Sequence, residues 1–315
     1  MKTLKFYLLA FIALVFCGRL FANYVAEDRA FNYFLSPNGD MVATITNDGI
    51  LSLWDSDLEV EIALLSDTTN FKKSYFKDVA FSPKSNFIAA VDWMGSVFIW
   101  DLHTLQKVQS IMTTTSFVSV SFSSDETTIA TIPVTTDCVV LWDWQNVHEK
   151  AVFEAADVVG LKDVIFSRDD KFIAASSYYG DVVIWDLPSN EILNVISVSR
   201  DEVTDMAFSA DGEFIATAVQ NEVYWWSVIS GRYLMGFKEH TDYVVDVDFG
   251  MYNNCVVSAS NNEIIVWYGY YSEKIFMFDL KAERFKGFVF NFEKGVVIGE
   301  DANKKPQIKR LFCDK

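Results

Sequence analysis

Asp78-Val79-Ala80-Phe81-Ser82-Pro83-Lys84-Ser85-Asn86-Phe87-Ile88-Ala89-Ala90-Val91-Asp92-Trp93-Met94-Gly95-Ser96-Val97-Phe98-Ile99-Trp100-Asp101 is one complete copy of the unit from which this chain is built. Its first six residues form an apolar-rich run closed by a proline. Lys84-Ser85-Asn86 is a polar turn, and Phe87 to Val91 a second apolar run. Trp93-Met94-Gly95 makes a tight turn before a third run, Ser96 to Asp101. Short runs rich in Val, Ile and Phe, bounded by Gly, Pro, Asn, Asp and Ser, read as strands joined by hairpins.

The unit recurs along the chain. Trp54, Trp100, Trp142, Trp185, Trp226 and Trp267 are separated by 46, 42, 43, 41 and 41 residues. A self-similar period of about 40 to 45 residues, each copy a small sheet that buries its faces only by stacking on neighbours, predicts a β-propeller. At this point the chain resembles the WD-repeat propellers. Phe-Ser closes the first strand at Phe81-Ser82, Phe122-Ser123, Phe166-Ser167 and Phe208-Ser209, with Leu35-Ser36-Pro37 as the variant in the first copy. Trp-Asp closes the third strand at Trp54-Asp55, Trp100-Asp101, Trp142-Asp143 and Trp185-Asp186, and is degenerate at Trp226-Ser227 and Trp267-Tyr268.

The expected fold is all-β, a seven-bladed propeller of four-stranded antiparallel blades. Six blades fall at about 31–66, 76–112, 117–155, 161–198, 203–238 and 243–279. A weaker seventh follows at about 287–312, with Lys309 or Arg310 where a tryptophan would stand. The seventh unit has no room for an outer strand before Lys315, so the resemblance implies that Asn23 to Asp28 supply it and close the ring. Closure of this kind hides sheet edges from other chains. Residues 23–315 form a single propeller domain in this reading, and no linker suggests a second one.

The family pattern has gaps here. Typical repeats join the tryptophan to an aspartate six residues earlier and to a Gly-His pair before the first strand. Only Asp48 holds the aspartate position; Met94, Thr136, Tyr179, Gln220 and Asn261 hold the others, and only His240 lies near the histidine position. The blades are therefore expected to rely on apolar packing, in keeping with a hydrophobic fraction of 51% and 27 phenylalanines.

A formal charge of −17 and a sequence pI near 4.5 argue against nucleic acid, whose binding depends on Lys and Arg neutralising phosphates. Anionic membrane surfaces are disfavoured for the same reason. An acidic surface either attracts basic partners or maintains solubility.

At the N-terminus, Lys2 and Lys5 precede an apolar run from Phe6 to Cys17, and Arg19 interrupts it before Leu20-Phe21-Ala22. A basic start and a short apolar segment describe a secretory signal over residues 1–22 rather than a membrane span. Export to a periplasmic or extracellular space is the expectation, with a membrane tether through residues 6–22 as the alternative. Without that segment the cysteines are Cys138, Cys255 and Cys313, an odd number that reads as buried thiols rather than a disulfide framework.

No catalytic motif is found: no Gly-x-Ser-x-Gly elbow, Walker loop or dinucleotide fingerprint occurs. His103, His148 and His240 belong to different blades, and no Cys or His spacing suits zinc. No cofactor or metal is expected. Three residues before the closing aromatic of the first strand stand Asp78, Asp163, Asp205 and Asp246, with Asn32 and Ser119 in two other blades. The resemblance implies that this strand is innermost, so these side chains form a ring at one level. They either cap nearby turns or bond an adjacent indole, or they make an acidic collar for a basic side chain or a cation.

Seven residues before the tryptophans stand Asn47, Trp93, Thr135, Tyr178, Val219 and Ser260, in the turn that WD-repeat proteins present on their top face. Trp93 and Tyr178, with Met94 and Tyr179 beside them, are large residues for short turns. Aromatics among polar groups either anchor partners or tuck over neighbouring blades. The expected function is a non-catalytic interaction platform, a scaffold or adaptor whose top face binds a protein or peptide, basic in character if the surface charge is the attraction. Trp93, Tyr178, Tyr179, Asp78, Asp163, Asp205 and Asp246 are its candidate contacts. The propeller is expected as a monomer within a complex. The alternative is an exported small-molecule-binding or hydrolytic propeller with a site in its central channel.

Overall fold

In the computed structural model the strands group into seven separate sheets. The structure describes residues 19–20, 31–46, 48–55, 60–65, 75–155, 157–250, 255–268, 273–279, 286–291, 296–300 and 306–310. Each sheet is a meander in which neighbouring strands are also consecutive in sequence, and every pairing is antiparallel. The blade read first from the sequence consists of Phe76–Phe81, Phe87–Asp92, Ser96–Asp101 and Lys107–Met112. Four further sheets repeat this four-strand pattern between Phe117 and Asp279. The seventh has three strands, Lys286–Asn291, Val296–Glu300 and Pro306–Arg310. Its register sets Arg310 opposite Val296, the level at which Trp100 faces Ile88 in the second blade.

The proposed closing strand, Asn23 to Asp28, lies outside the described residues, as do Asn47 and Cys313. Of residues 1–22 only Arg19–Leu20 is described, and it forms a short strand. It pairs with Phe31–Leu35 of the first sheet, Arg19 opposite Phe34 and Leu20 opposite Tyr33. This addition to the inner edge has no counterpart in the sequence reading, because the pairing uses backbone groups that any residue carries.

The core is shared between blades rather than held within them. One apolar cluster joins Ala43, Leu51 and Leu53 of the first blade to Phe76, Ile88 and Trp100 of the second. Equivalent clusters occupy the next four interfaces. The repeating tryptophans sit in these seams: Trp185 meets Phe153 of the preceding blade edge-on at 6.1 Å, and Trp267 stacks on Phe237 at 4.8 Å. Each sheet is thus buried by its neighbour, as the period requires. Cys138 and Cys255 are buried in strands.

The aspartate of Trp-Asp turns the chain towards the outer strand. Asp101 accepts the backbone N–H groups of His103 and Thr104 at 2.9 and 2.7 Å; Asp143 and Asp186 do the same for Asn146 and Ser189, each at 3.0 Å. These carboxylates satisfy turn donors that the sheet leaves open.

Turn-to-turn bonds then tie the blades together on the opposite side from the Trp93 turn. Ser85, Glu126 and Asp170 occupy the same turn position with φ of 58°, 66° and 52°. Each reaches back to the preceding blade: Ser85 Oγ accepts from Asn38 N–H at 2.9 Å, Glu126 Oε1 from Lys84 N–H at 2.7 Å, and Asp170 Oδ1 from Ser124 N–H at 2.8 Å.

Candidate binding face

The inner strands carry a repeated irregularity that builds the top rim. In each of the second to seventh blades the register slips by one residue just before the collar position, as between Phe76 and Asp78 or Leu161 and Asp163. A bulge of this kind leaves one residue unpaired and re-aims its side chain. The extra residues include Lys77 and Lys162. Lys77 extends to the Trp93 ring, its Nζ 4.0 Å from the centroid, and Lys162 lies 5.7 Å from the Tyr178 centroid.

The Trp93 turn is held from several sides. Asp92 accepts the N–H groups of Met94 and Ser96 at 2.8 and 2.9 Å. Trp93 N–H donates to Tyr75 O at 3.3 Å, and the Ser116 hydroxyl donates to Trp93 O. Gly95 has φ +86°, and a Cβ there would stand 2.8 Å from both Thr113 O and Thr115 O. With its backbone fixed, the Trp93 side chain is 52% exposed and Met94 51%. The Tyr178 turn is built alike: Ser177 Oγ accepts from Tyr179 and Asp181 N–H at 3.2 and 3.0 Å, Gly180 has φ +87°, and Tyr178 and Tyr179 are 46% and 61% exposed. Tyr75, Val134 and Tyr243 are also exposed on this rim.

Counting back from the tryptophans misses the turn in two blades and falls one residue late within it in a third. Val219 and Ser260 are the last residues of strands Phe214–Val219 and Cys255–Ser260 and are buried. By strand pairing, Val134 rather than Thr135 follows the position that Asp92 holds, and Gln220 rather than Val219. Turns of unequal length break a fixed count, whereas strand pairing does not.

The collar exists at one level, and its members bridge blades. Asp78 Oδ2 accepts Val120 N–H of the third blade at 2.8 Å, and Asp205 Oδ2 accepts Val247 N–H of the sixth at 2.8 Å. Ser119 Oγ accepts Val164 N–H at 3.2 Å while its hydroxyl donates to Asp163 Oδ1 at 3.3 Å. All four aspartates are buried. Asp205 and Asp246 share a hydrogen bond. Burial raises the carboxyl of Asp205 to about 7, with Asp163 adding to the effect, and pushes Asp246 well above the usual carboxylate range, with Asp205 adding there. Asp163 and Asp205 line a channel cavity of about 30 Å³ together with Phe34, Val79, Val120 and Ile165, room for one or two waters.

One buried network was only half visible in the sequence. Trp267 Nε1 donates to Ser258 Oγ at 2.8 Å, His240 Nε2 lies 2.6 Å from the same oxygen, and His240 Nδ1 lies 3.3 Å from Glu263 Oε1. Glu263 also accepts Thr241 N–H at 2.6 Å. His240 was noticed; Glu263 was missed because it stands four residues before Trp267, where the pattern asks for an aspartate six before. The Ser258–His240–Glu263 order has the connectivity of a nucleophile, base and orienter, but all three residues are buried and the hydroxyl faces an indole. Burial lowers the His240 pKa, against the pull of Glu263. Trp54, Trp142 and Trp226 keep only the first link, donating to Thr44, Thr131 and Thr217 at 2.9, 2.9 and 3.0 Å. His103 and His148 are exposed and apart from this network. Among the described residues no group of three or more His, Cys, Asp or Glu is placed to hold a metal ion.

Residues 148–186, 190–227 and 231–268 match the family described as WD domain, G-beta repeat. Those spans run from an outer strand to the next Trp-Asp position, the period seen in the sheets. The chain is a β-propeller carrying WD repeats. The propeller is similar in fold to the crystal structure of the Myceliophteria thermophila Cps50 (Swd1) beta-propeller domain. The TM-score is 0.68 at 13% identity, over 89% of this chain and 96% of that one. A search of curated proteins finds no match.

Within this WD-repeat propeller, Trp93, Tyr178 and Tyr179 lie in exposed top turns, and Asp78, Asp163, Asp205 and Asp246 in the buried ring below them. The two groups are not one surface. Lys77 and Lys162, which sit between them, were not singled out from the sequence; their shared place immediately before Asp78 and Asp163 was the signal available.

Proposed function

We propose that this propeller is a non-catalytic interaction platform that binds a protein or peptide across its top face. WD-repeat propellers are generally scaffolds for protein interactions, and one observation carries the reading for this chain. Trp93 and Tyr178 are half exposed although the turns bearing them are pinned by Asp92, Ser177 and two glycines in left-handed conformations. Rigid exposed aromatics bury large area on binding at little conformational cost. The collar aspartates support a role beneath that face, as inter-blade ties that keep the rim in register. Trp93→Ala combined with Tyr178→Ala should abolish recovery of partners from the native host while leaving the melting curve unchanged; undiminished recovery rejects the face.

We further propose export, with residues 1–22 as its signal. Cleavage after Ala22 would remove the Arg19–Leu20 strand from the first sheet. Intact mass of the protein from soluble and membrane fractions tests this: a soluble chain beginning at Asn23 supports it, and a full-length membrane-bound chain replaces it with a tether.

A further inference from the structure

Lys77 and Lys162 are the same residue of the same bulge two blades apart, yet their ammonium groups are treated differently. Lys162 Nζ donates to Glu202 Oε1 at 2.5 Å and to the carbonyls of Val203 and Thr204 at 3.1 and 3.4 Å. Glu202 immediately precedes the inner strand of the following blade. The corresponding residue after Lys77 is Ser116, which precedes Phe117–Phe122 and whose hydroxyl is engaged by Trp93 O. No carboxylate among the described residues forms an ion pair with Lys77; its contact is the Trp93 face at 4.0 Å. Asp78 acts on it only through space, and half-burial lowers its pKa. A half-buried ammonium that no described carboxylate meets is an arrangement that an incoming anion relieves.

The surroundings say what kind of anion. Exposed Tyr75, Trp93, Met94 and Val134 stand on the same rim, and backbone bonds from Trp93 N–H to Tyr75 O and from Val134 N–H to Ser116 O tie them into one surface. We propose that this rim is a carboxylate notch: one Asp or Glu side chain of the bound polypeptide, flanked by apolar residues, takes on Lys77 the place that Glu202 takes on Lys162. With a formal charge of −17 on the chain, a strongly acidic segment is repelled, so a lone carboxylate in an apolar setting is the form that fits. The proposal rests on the top-face reading and names the anchor chemistry of that face.

Panning a displayed library of random peptides on the full chain tests it. Enriched peptides should carry an Asp or Glu beside an aromatic or aliphatic residue, and their Glu→Gln or Asp→Asn forms should bind at least about tenfold more weakly, a difference near 1.4 kcal/mol. Lys77→Met should erase that preference. Ser116→Glu supplies an internal carboxylate and should weaken the acidic peptide by a similar factor while its amide form binds as before, which keeps the test decisive if Lys77→Met folds poorly. Acid and amide forms that bind equally, or a preference surviving both variants, overturn the notch. Acetate that displaces the peptide as effectively as a second peptide at matched ionic strength overturns the polypeptide source. Peptides that bind Trp93→Ala/Tyr178→Ala undiminished, or no enrichment at all, reject the top face itself and the notch with it. Peptides lost on that double variant but indifferent to charge reject the notch alone.

Discussion

Asp205 accepts the backbone N–H of Val247, 42 residues later in the sequence and one blade further round the ring, at 2.8 Å. Asp78 does the same for Val120. A side chain whose place in the sequence suggests a turn cap, an indole partner or a collar for a basic group is in both places a tie between neighbouring inner strands.

Asp78→Ala leaves the Val120 N–H without its acceptor in a buried seam and should cost about 1–3 kcal/mol in urea unfolding. Asp78→Asn retains a side-chain oxygen and should cost less. Equal losses would argue that charge, not the bond to Val120, is what the site requires.

The hydrogen-bonded pair Asp205 and Asp246 gives stability an unusual pH dependence. Both carboxyls are raised in the fold, Asp205 from 3.8 to about 7. The folded chain therefore holds more protons than the unfolded one between about pH 4 and 7, and stability falls as pH rises through that window. His240 acts in the opposite sense: its pKa is lowered in the fold, so its contribution fades on acidification below 6.5. Asp246→Asn isolates the first effect, because its amide can donate to Asp205 at any pH. The melting temperature of this variant should decline less from pH 5 to pH 8 than that of the parent; parallel curves would show that the pair does not titrate in that range.

Gly180→Ala should be strongly destabilising, by roughly 2–4 kcal/mol. The residue has φ +87°, and a Cβ would lie 2.5 Å from Ser199 O and 2.7 Å from Asp201 O. Denaturant midpoints measure the loss, and a change below 1 kcal/mol, of the size expected for Gly→Ala without a clash, would mean that the turn relaxes.

Ser176 and Ser258 occupy the same place, nine residues before Trp185 and Trp267. Ser258 accepts its indole, but Trp185 donates instead to Glu154 O at 3.1 Å, and Ser176 Oγ is buried without a hydrogen-bond partner. Ser176→Ala should be neutral or stabilising by up to about 1 kcal/mol, whereas Ser258→Ala should cost about 1–3 kcal/mol by stranding His240 and the Trp267 N–H. Calorimetry of the two variants compares them directly, and losses of equal size would remove the distinction.

The strands, the repeat and the stacking of sheets were determined by the sequence itself. Alternation, turn residues and the Trp-Asp period act over distances of a few residues, and that is where they can be read. Trp93 and Tyr178 were legible as oversized turn residues for the same reason. The tertiary structure alone decided the rest. Turns of unequal length shifted Val134 and Gln220 into the positions assigned to Thr135 and Val219. Glu263 entered the His240 network from outside the expected spacing. Lys162 found a carboxylate 40 residues away while Lys77 met the Trp93 face instead. The Lys162–Glu202 contact joins adjacent blades and the Lys77–Trp93 contact stays within one; the packing of strands distant in sequence, not local preference, sets which side chains meet.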